Sequence, residues 1–402
     1  MKKLAVLALA LLLLITPISG CAPENSAEVV TETDPELLIT NLESDAQEAT
    51  TDVAALDLDS DSNPNSDSYS DSESITVATP GETASQFSSE PQPTSSSTRE
   101  GEKLSIVCTA FPQFDWVRHI LGAGAGNVTL TLLQRDGIDF HSYQPSNDDI
   151  VKIANCDLFI YGGGRSDGWA EEILQQVMNP RTVGISLMDL QGDALLFERY
   201  SDGMEMDDQF VNSNIEQNQP QSTNEFDEHV WLSLRNVFVF TSAITETLST
   251  MDPENDIVYG NNLIDYLESM VLLDVKYMEA IEAANVKTIL FGDHFPFGYL
   301  FNDYGLSYYA AFPGCSTEAE ADSQILVFLS EKVDELSLKN VFVTENSDQS
   351  IARTIIDNSK AKNQEILVMN SMHSVTAEEM RNGITYLSVM EENLNVLKEA
   401  IK

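Results

Sequence analysis

The sequence predicts an α/β protein of two Rossmann-like lobes, each a parallel sheet flanked by helices, joined by one long rigid helix. Three observations carry this. Short apolar, β-branched runs alternate with helical periodicity between residues 103 and 250. The same alternation resumes at residue 286 and continues to residue 402. Between them, residues 251–285 keep apolar side chains at helical spacing, with no proline after Pro253 and no glycine after Gly260. Strands alternating with helices imply parallel sheets and right-handed crossovers.

Ahead of these lobes lie two segments of another kind. Lys2 and Lys3 form a positive start, and Leu4–Ile15 is an apolar run too short for a comfortable membrane span. It ends in Ile18-Ser19-Gly20-Cys21, which resembles the bacterial lipobox. Residues 1–21 are therefore expected to be a lipoprotein signal peptide with Cys21 as the lipidated residue. An ordinary signal peptide with an incidental cysteine is the bland alternative. Residues 22–102 are rich in Ser, Thr, Asp and Glu, nearly devoid of aromatics, and contain Arg99 as the one basic residue. Such a segment cannot bury enough apolar surface to offset chain entropy and is expected to be a disordered tether. A flexible chain of about 80 residues spans roughly 50 Å.

In the first lobe, Leu104–Phe111, Val128–Leu133, Asp157–Gly163 and Val183–Met188 read as buried strands. Phe114–Leu121, Ser146–Ala154 and Gly168–Val177 read as the helices between them. Residues 198–226 break the pattern and read as an acidic mobile loop. Asp227-Glu228-His229 then opens a helix running through Leu248. Asp252-Pro253 places a capping residue and a first-turn proline ahead of a helix of about 30 residues, roughly 45 Å long. The second lobe offers Lys287–Gly292, Ser307–Phe312, Asn340–Glu345 and Glu365–Asn370 as strands, and Leu387–Ile401 as a closing helix. A rigid connector of this kind argues against wide hinge motion.

The formal charge of −44 makes nucleic acid and anionic lipid headgroups poor partners and cations natural ones. Four scattered cysteines are too few for a disulfide framework or a cysteine-type zinc site, and no disulfide is expected among Cys108, Cys156 and Cys315.

There are five histidines. His119 falls inside a helical pattern and reads as structural or surface. His141 follows a strand on a loop started by Gly137, His229 begins a helix, and His294 and His373 follow strands of the second lobe. Open α/β sheets bind ligands beyond the carboxyl ends of their strands, so all four are placed to face one interlobe cleft. A lone loop histidine is more often solvated or hydrogen-bonded, but four in equivalent positions favour a site. Neutral imidazole suits zinc, copper, nickel and iron. No local motif such as His-Glu-x-x-His is present, so the fold must bring the ligands together.

The runs FPQFDW (Phe111–Trp116), DFHSYQPSNDDI (Asp139–Ile150), CDLFIYGGG (Cys156–Gly164), DEHVWLSLRN (Asp227–Asn236) and FGDHFPFGYLFNDYGLSYYAAF (Phe291–Phe312) resemble the zinc/manganese substrate-binding proteins of bacterial ABC importers. The resemblance runs from about residue 103 to the C-terminus. It implies a metal held between the lobes by His141, His229 and His294, the last being histidine in zinc-type members and typically glutamate in manganese-type ones. The family's fourth ligand is usually a carboxylate in a turn near the C-terminus. Here that turn is Asn370-Ser371-Met372-His373, which favours His373, with water or Asn370 as alternatives. Glu345 reads as support, and Asp139, Asp227, Glu228 and Asp293 as acceptors for ring N–H groups. The implied function is a monomeric receptor on the outer face of the cytoplasmic membrane, held there by its lipid. It would capture Zn2+ in preference to Mn2+ and deliver it to a membrane ABC permease. A manganese receptor, a surface adhesin and a zinc hydrolase are the alternatives.

Overall fold

The computed structural model describes residues 103–402, except 123–125, 127, 135–136, 178, 201–220 and 315–320. The expected signal peptide, the tether, Cys21 and Cys315 lie outside the described residues.

Two four-stranded parallel sheets form the frame. The first contains β1 (Leu104–Cys108), β2 (Val128–Leu132), β3 (Leu158–Tyr161) and β4 (Val183–Ser186) in the order β2-β1-β3-β4. Its helices are α1 (Phe111–Leu121), α2 (Asn147–Asn155), α3 (Trp169–Gln176) and the short α4 (Leu187–Gln191). The first strand is shorter than expected because Phe111-Pro112 begins α1. Proline has no N–H to lose in a first turn, and its fixed φ suits that place. The fourth strand likewise stops at Ser186, whose hydroxyl accepts the Asp189 N–H and starts α4.

The loop expected at 198–226 is corrected at its ends, while residues 201–220 lie outside the described residues. Its two ends, β5 (Phe197–Tyr200) and β6 (Gln221–Phe226), pair antiparallel as a ribbon, with Phe197 stacked on Phe226. The helix expected from Asp227 is a second correction. His229 instead precedes a single 3-10 turn, Val230–Leu232, and α5 (Leu234–Met251) starts only after Ser233 caps the Asn236 N–H. A further 3-10 turn, Pro253–Asn255, leads into α6 (Asp256–Glu282), whose 27 residues span about 40 Å. Tyr259, Tyr266, Leu267, Met270, Leu273, Tyr277 and Ile281 form its buried stripe.

The second sheet contains β7 (Thr288–Phe295), β8 (Ser307–Pro313), β9 (Asn340–Thr344) and β10 (Glu365–Met369), in the order β10-β9-β7-β8. Helices α7 (Gly298–Tyr304), α8 (Ser323–Glu335), α9 (Ser350–Asn358), α10 (Ala377–Arg381) and α11 (Tyr386–Ala400) accompany it. The expected strand at residues 287–292 continues to Phe295, so His294 lies within β7 rather than after it. The register against β8 shifts between Phe291 and His294, an irregularity that lets the strand run on while re-aiming its side chains. Gly292 allows the close approach of α9, since a Cβ there would sit 2.6 Å from Ala352 Cα.

Each sheet has an apolar cluster on one side, around Val107 and Phe159 in the first and Val341 and Val343 in the second. A third cluster runs from Ile106 and Ile160 through Met270 and Tyr277 to Phe291, Phe342 and Leu394, so both lobes share one core with the linking helix. Tyr277 Oη donates to Met390 O at 2.6 Å, and Tyr386 Oη to Trp231 O at 2.7 Å, fixing α11 against the linking helix and the first lobe. Cys108 and Cys156 are buried and free, and burial pushes the Cys156 thiol up to about 12.

Candidate metal centre

Three of the five histidines carry the same local device. Asp139 precedes the 3-10 turn Phe140–Ser142, and its Oδ1 accepts both the His141 backbone N–H (2.9 Å) and the His141 ring at Nδ1 (3.1 Å). Asp227 does the same for His229, at 2.9 Å from N and 2.6 Å from Nδ1. Asp293 does it for its neighbour His294, at 2.8 and 3.0 Å. A carboxylate facing Nδ1 keeps the proton there, so the lone pair of each imidazole sits on Nε2.

The fourth imidazole, His373, follows β10 on a turn pinned from two sides. Its backbone N–H donates to Glu345 Oε1 at 3.1 Å, and its carbonyl accepts the Phe140 N–H at 2.9 Å and the Gln134 side-chain amide. The first-lobe loop that presents His141 is thus hydrogen-bonded to the second-lobe turn that presents His373.

The result is a cluster of His141, His229 and His373, with potential ligand atoms all within 4.8 Å of one another. Ring centroids are 4.5 Å apart for His141 and His373, 4.8 Å for His229 and His373, and 5.3 Å for His141 and His229. His229 is fully buried and His373 is 7% exposed. The Nε2 atoms of all three are buried and have no hydrogen-bond partner among the described residues. Orphaned polar atoms of this kind are rare and costly in native interiors, and three together fit a cation. Tetrahedral zinc at about 2.0–2.1 Å from each nitrogen sets nitrogens about 3.4 Å apart, inside the 4.8 Å that bounds the ligand atoms here.

His294 stands beside this group and outside it. Its side chain is 27% exposed, and its ring stacks on Phe312 at 4.9 Å. His119 is remote, its ring tilted against Tyr266 in the packing of α1 against α6.

Charge follows the geometry. Burial pulls the His373 pKa well below the usual imidazole range, and the neighbouring His141, His229 and His294 pull it further. For His229 burial also opposes the proton, but the Asp227 carboxylate, helped by Glu198 and Glu228, outweighs it and raises the pKa. Burial works against the charged Asp293 too, yet donors from His294, Thr344 and Ser347 bring it down to about 2. Glu228, expected to accept a ring N–H, instead accepts the Ser166 backbone N–H at 3.1 and 3.2 Å. Asn370 Oδ1 accepts the Met372 N–H at 2.8 Å and so shapes the turn.

Asp139 has a wider reach than its sequence position suggests. Its Oδ2 lies 4.0 Å from His373 Nδ1 while Oδ1 holds His141, so one carboxylate faces two imidazoles from different lobes. Asp139→Asn is expected to weaken metal binding by about 10- to 100-fold, the usual cost of losing such an outer carboxylate. Competition titration against a chelator measures it, and unchanged affinity would rule the role out. Sequence reasoning also passed over Trp231, whose Nε1–H donates to Ser371 O at 3.0 Å, and Gly314, where a Cβ would lie 2.8 Å from His229 Cε1. The DEHVW run carried a signal for the first; nothing local marked the second.

Two parallel α/β lobes bridged by a long helix, with buried imidazole nitrogens converging where the lobes meet, define a two-lobed ligand-binding protein. A family model described as zinc-uptake complex component A, periplasmic (ZnuA), matches residues 106–400, and the chain belongs to that family. The chain is 29% identical over 297 residues to the zinc-binding lipoprotein AdcA of Streptococcus pneumoniae serotype 4 (strain ATCC BAA-334 / TIGR4), covering 74% of this chain and 56% of that protein. It thus spans little more than half the length of such curated relatives. It is 26% identical over 308 residues to the high-affinity zinc uptake system protein ZnuA of Bacillus subtilis (strain 168), covering 75% of this chain and 89% of that protein. The crystal structure of the Zn(II)-bound ZnuA-like domain of S. pneumoniae AdcA superposes with a TM-score of 0.58 at 28% identity, over 74% of this chain and 99% of that one.

Proposed function

We propose that this protein is a receptor that captures zinc outside the cytoplasmic membrane and delivers it to an ABC permease. The observation that carries the proposal is the set of three buried Nε2 atoms on His141, His229 and His373, without a hydrogen-bond partner among the described residues. His294, near the end of β7, completes the coordination by leaving its stack on Phe312. Nitrogen donors favour zinc over manganese, which prefers oxygen. The carboxylates Asp139, Asp227 and Asp293 face ring Nδ1 atoms, an arrangement that orients each imidazole and raises its basicity toward an ion. The receptor acts as a monomer, anchored through lipid on Cys21 with residues 22–102 as its tether. No helix among the described residues is long and apolar enough to cross a membrane.

Competition titrations with zinc and manganese test this reading. One-to-one zinc binding at least about 100-fold tighter than manganese, about 2.7 kcal/mol, is the expected result. Equal or reversed preference would defeat it. Normal growth of a deletion strain in zinc-depleted medium would count against the transport role, and hydrolytic turnover by the zinc-loaded protein would favour an enzyme.

A further inference from the structure

The turn that presents His373 is built around one side chain from a neighbouring strand end. Glu345 follows β9, and its carboxylate accepts the Ser371 N–H (2.8 Å to Oε2), the Ser371 hydroxyl (2.9 Å to Oε1) and the His373 N–H (3.1 Å to Oε1). Between those donors Met372 adopts φ +64°, a left-handed conformation that a non-glycine residue holds only when its surroundings impose it. The same turn is hydrogen-bonded to the first lobe through Trp231 Nε1–H to Ser371 O and through the Phe140 N–H and the Gln134 side-chain amide to His373 O. Glu345 is not among the groups that converge with the three imidazoles, so its carboxylate is committed to the turn.

We infer that Glu345 is the positioning residue that makes His373 a metal ligand: it gathers the donors of residues 371–373, imposes the left-handed Met372, and so aims the imidazole into the cluster. The inference rests on the receptor reading above and deepens it. A glutamine at position 345 keeps the shape but turns an N–H2 group toward the backbone N–H donors, so the turn relaxes and His373 leaves its place.

The experiment is a double-mutant cycle on the full chain, read as zinc affinity by competition titration. Glu345→Gln is expected to weaken zinc binding about 10- to 100-fold, and to add less than about twofold when His373 is already alanine, because both changes remove the same ligand. Cobalt-loaded Glu345→Gln should show the same altered visible spectrum as cobalt-loaded His373→Ala. Equal losses from Glu345→Gln in both backgrounds, or no loss in either, would overturn the inference while leaving zinc capture intact. Absence of zinc binding by the unaltered protein would overturn the receptor reading and this inference together. Should Glu345→Gln fail to melt cooperatively, Ser371→Ala removes only the hydroxyl donor and carries the same cycle, with an expected loss of about threefold.

Discussion

Replacing His229 with alanine is expected to weaken zinc binding by roughly 100- to 1,000-fold. Binding free energies of about 10–16 kcal/mol for tetrahedral zinc, shared among four ligands, assign about 3 kcal/mol to each. His229 should sit at or above that share. It is fully buried, its Nε2 has no partner among the described residues, and Asp227 holds its Nδ1 at 2.6 Å. Its loss also strips the buried Asp227 of its ring donor, leaving it the backbone N–H of residue 229. Two controls frame the result. His119→Ala, on the packed face between α1 and α6, should leave affinity within about twofold, as expected for a site with no shared partners. His294→Ala should cost about tenfold, less than His229→Ala, because its ring must leave Phe312 to join the ion. A loss for His119→Ala equal to that for His229→Ala would refute the assignment of the site.

The second large effect is pH dependence. A proton on Nε2 excludes the metal, so each ligand that titrates above the working pH weakens binding by tenfold per unit. His229, raised above the ordinary imidazole value of about 6.5 by Asp227, titrates early as pH falls. At pH 5.5 it alone lowers zinc affinity by at least about tenfold relative to pH 7.5. His373 acts in the opposite sense, since its depressed pKa keeps it neutral and ready to bind under the same conditions.

The stability of the metal-free fold responds to pH through the same two groups, with opposite signs. Stability from His229 is present below about pH 6.5 and lost as pH rises through its raised pKa. The neutral burial of His373 costs stability as pH falls below about 6.5, because the unfolded chain takes up the proton that the fold refuses. The rise in melting temperature on adding zinc should therefore be large at pH 7.5 and much smaller at pH 5.5. An equal rise at both values would contradict imidazole ligation.

Much of this architecture can be read from the chain. LSIVC, VTLTL, NVFVT and EILVM are apolar and β-branched at strand length, and they form strands in parallel sheets. The stripe from Tyr259 to Ile281 repeats at helical spacing and becomes the buried face of α6. These patterns are legible because strand and helix periodicities are short-range properties of the backbone. So are the links from Asp139 to His141 and from Asp227 to His229, in which a side chain reaches a backbone N–H two residues on. The places where local reading failed were element ends. Phe111-Pro112 joined a helix, the DEHVWL run made a 3-10 turn before α5, and His294 stayed within a strand. In each, a cap, a proline or a packed neighbour outweighed propensity.

The sequence alone therefore determined the α/β class, the linking helix, the pool of histidines and the aspartates beside three of them. Tertiary structure decided which imidazoles meet. His141, His229 and His373 are separated by 88 and 144 residues, and no local interaction spans such distances. The order of the two sheets, the core running through α6, and the hydrogen bonds from residues 134 and 140 to His373 O set their convergence. The shift in β7 register placed His294 at the margin, and Glu345 with Trp231 placed His373 inside. Coordination needs nitrogens within a few ångströms, and only packed, long-range contacts hold side chains of distant residues to that tolerance.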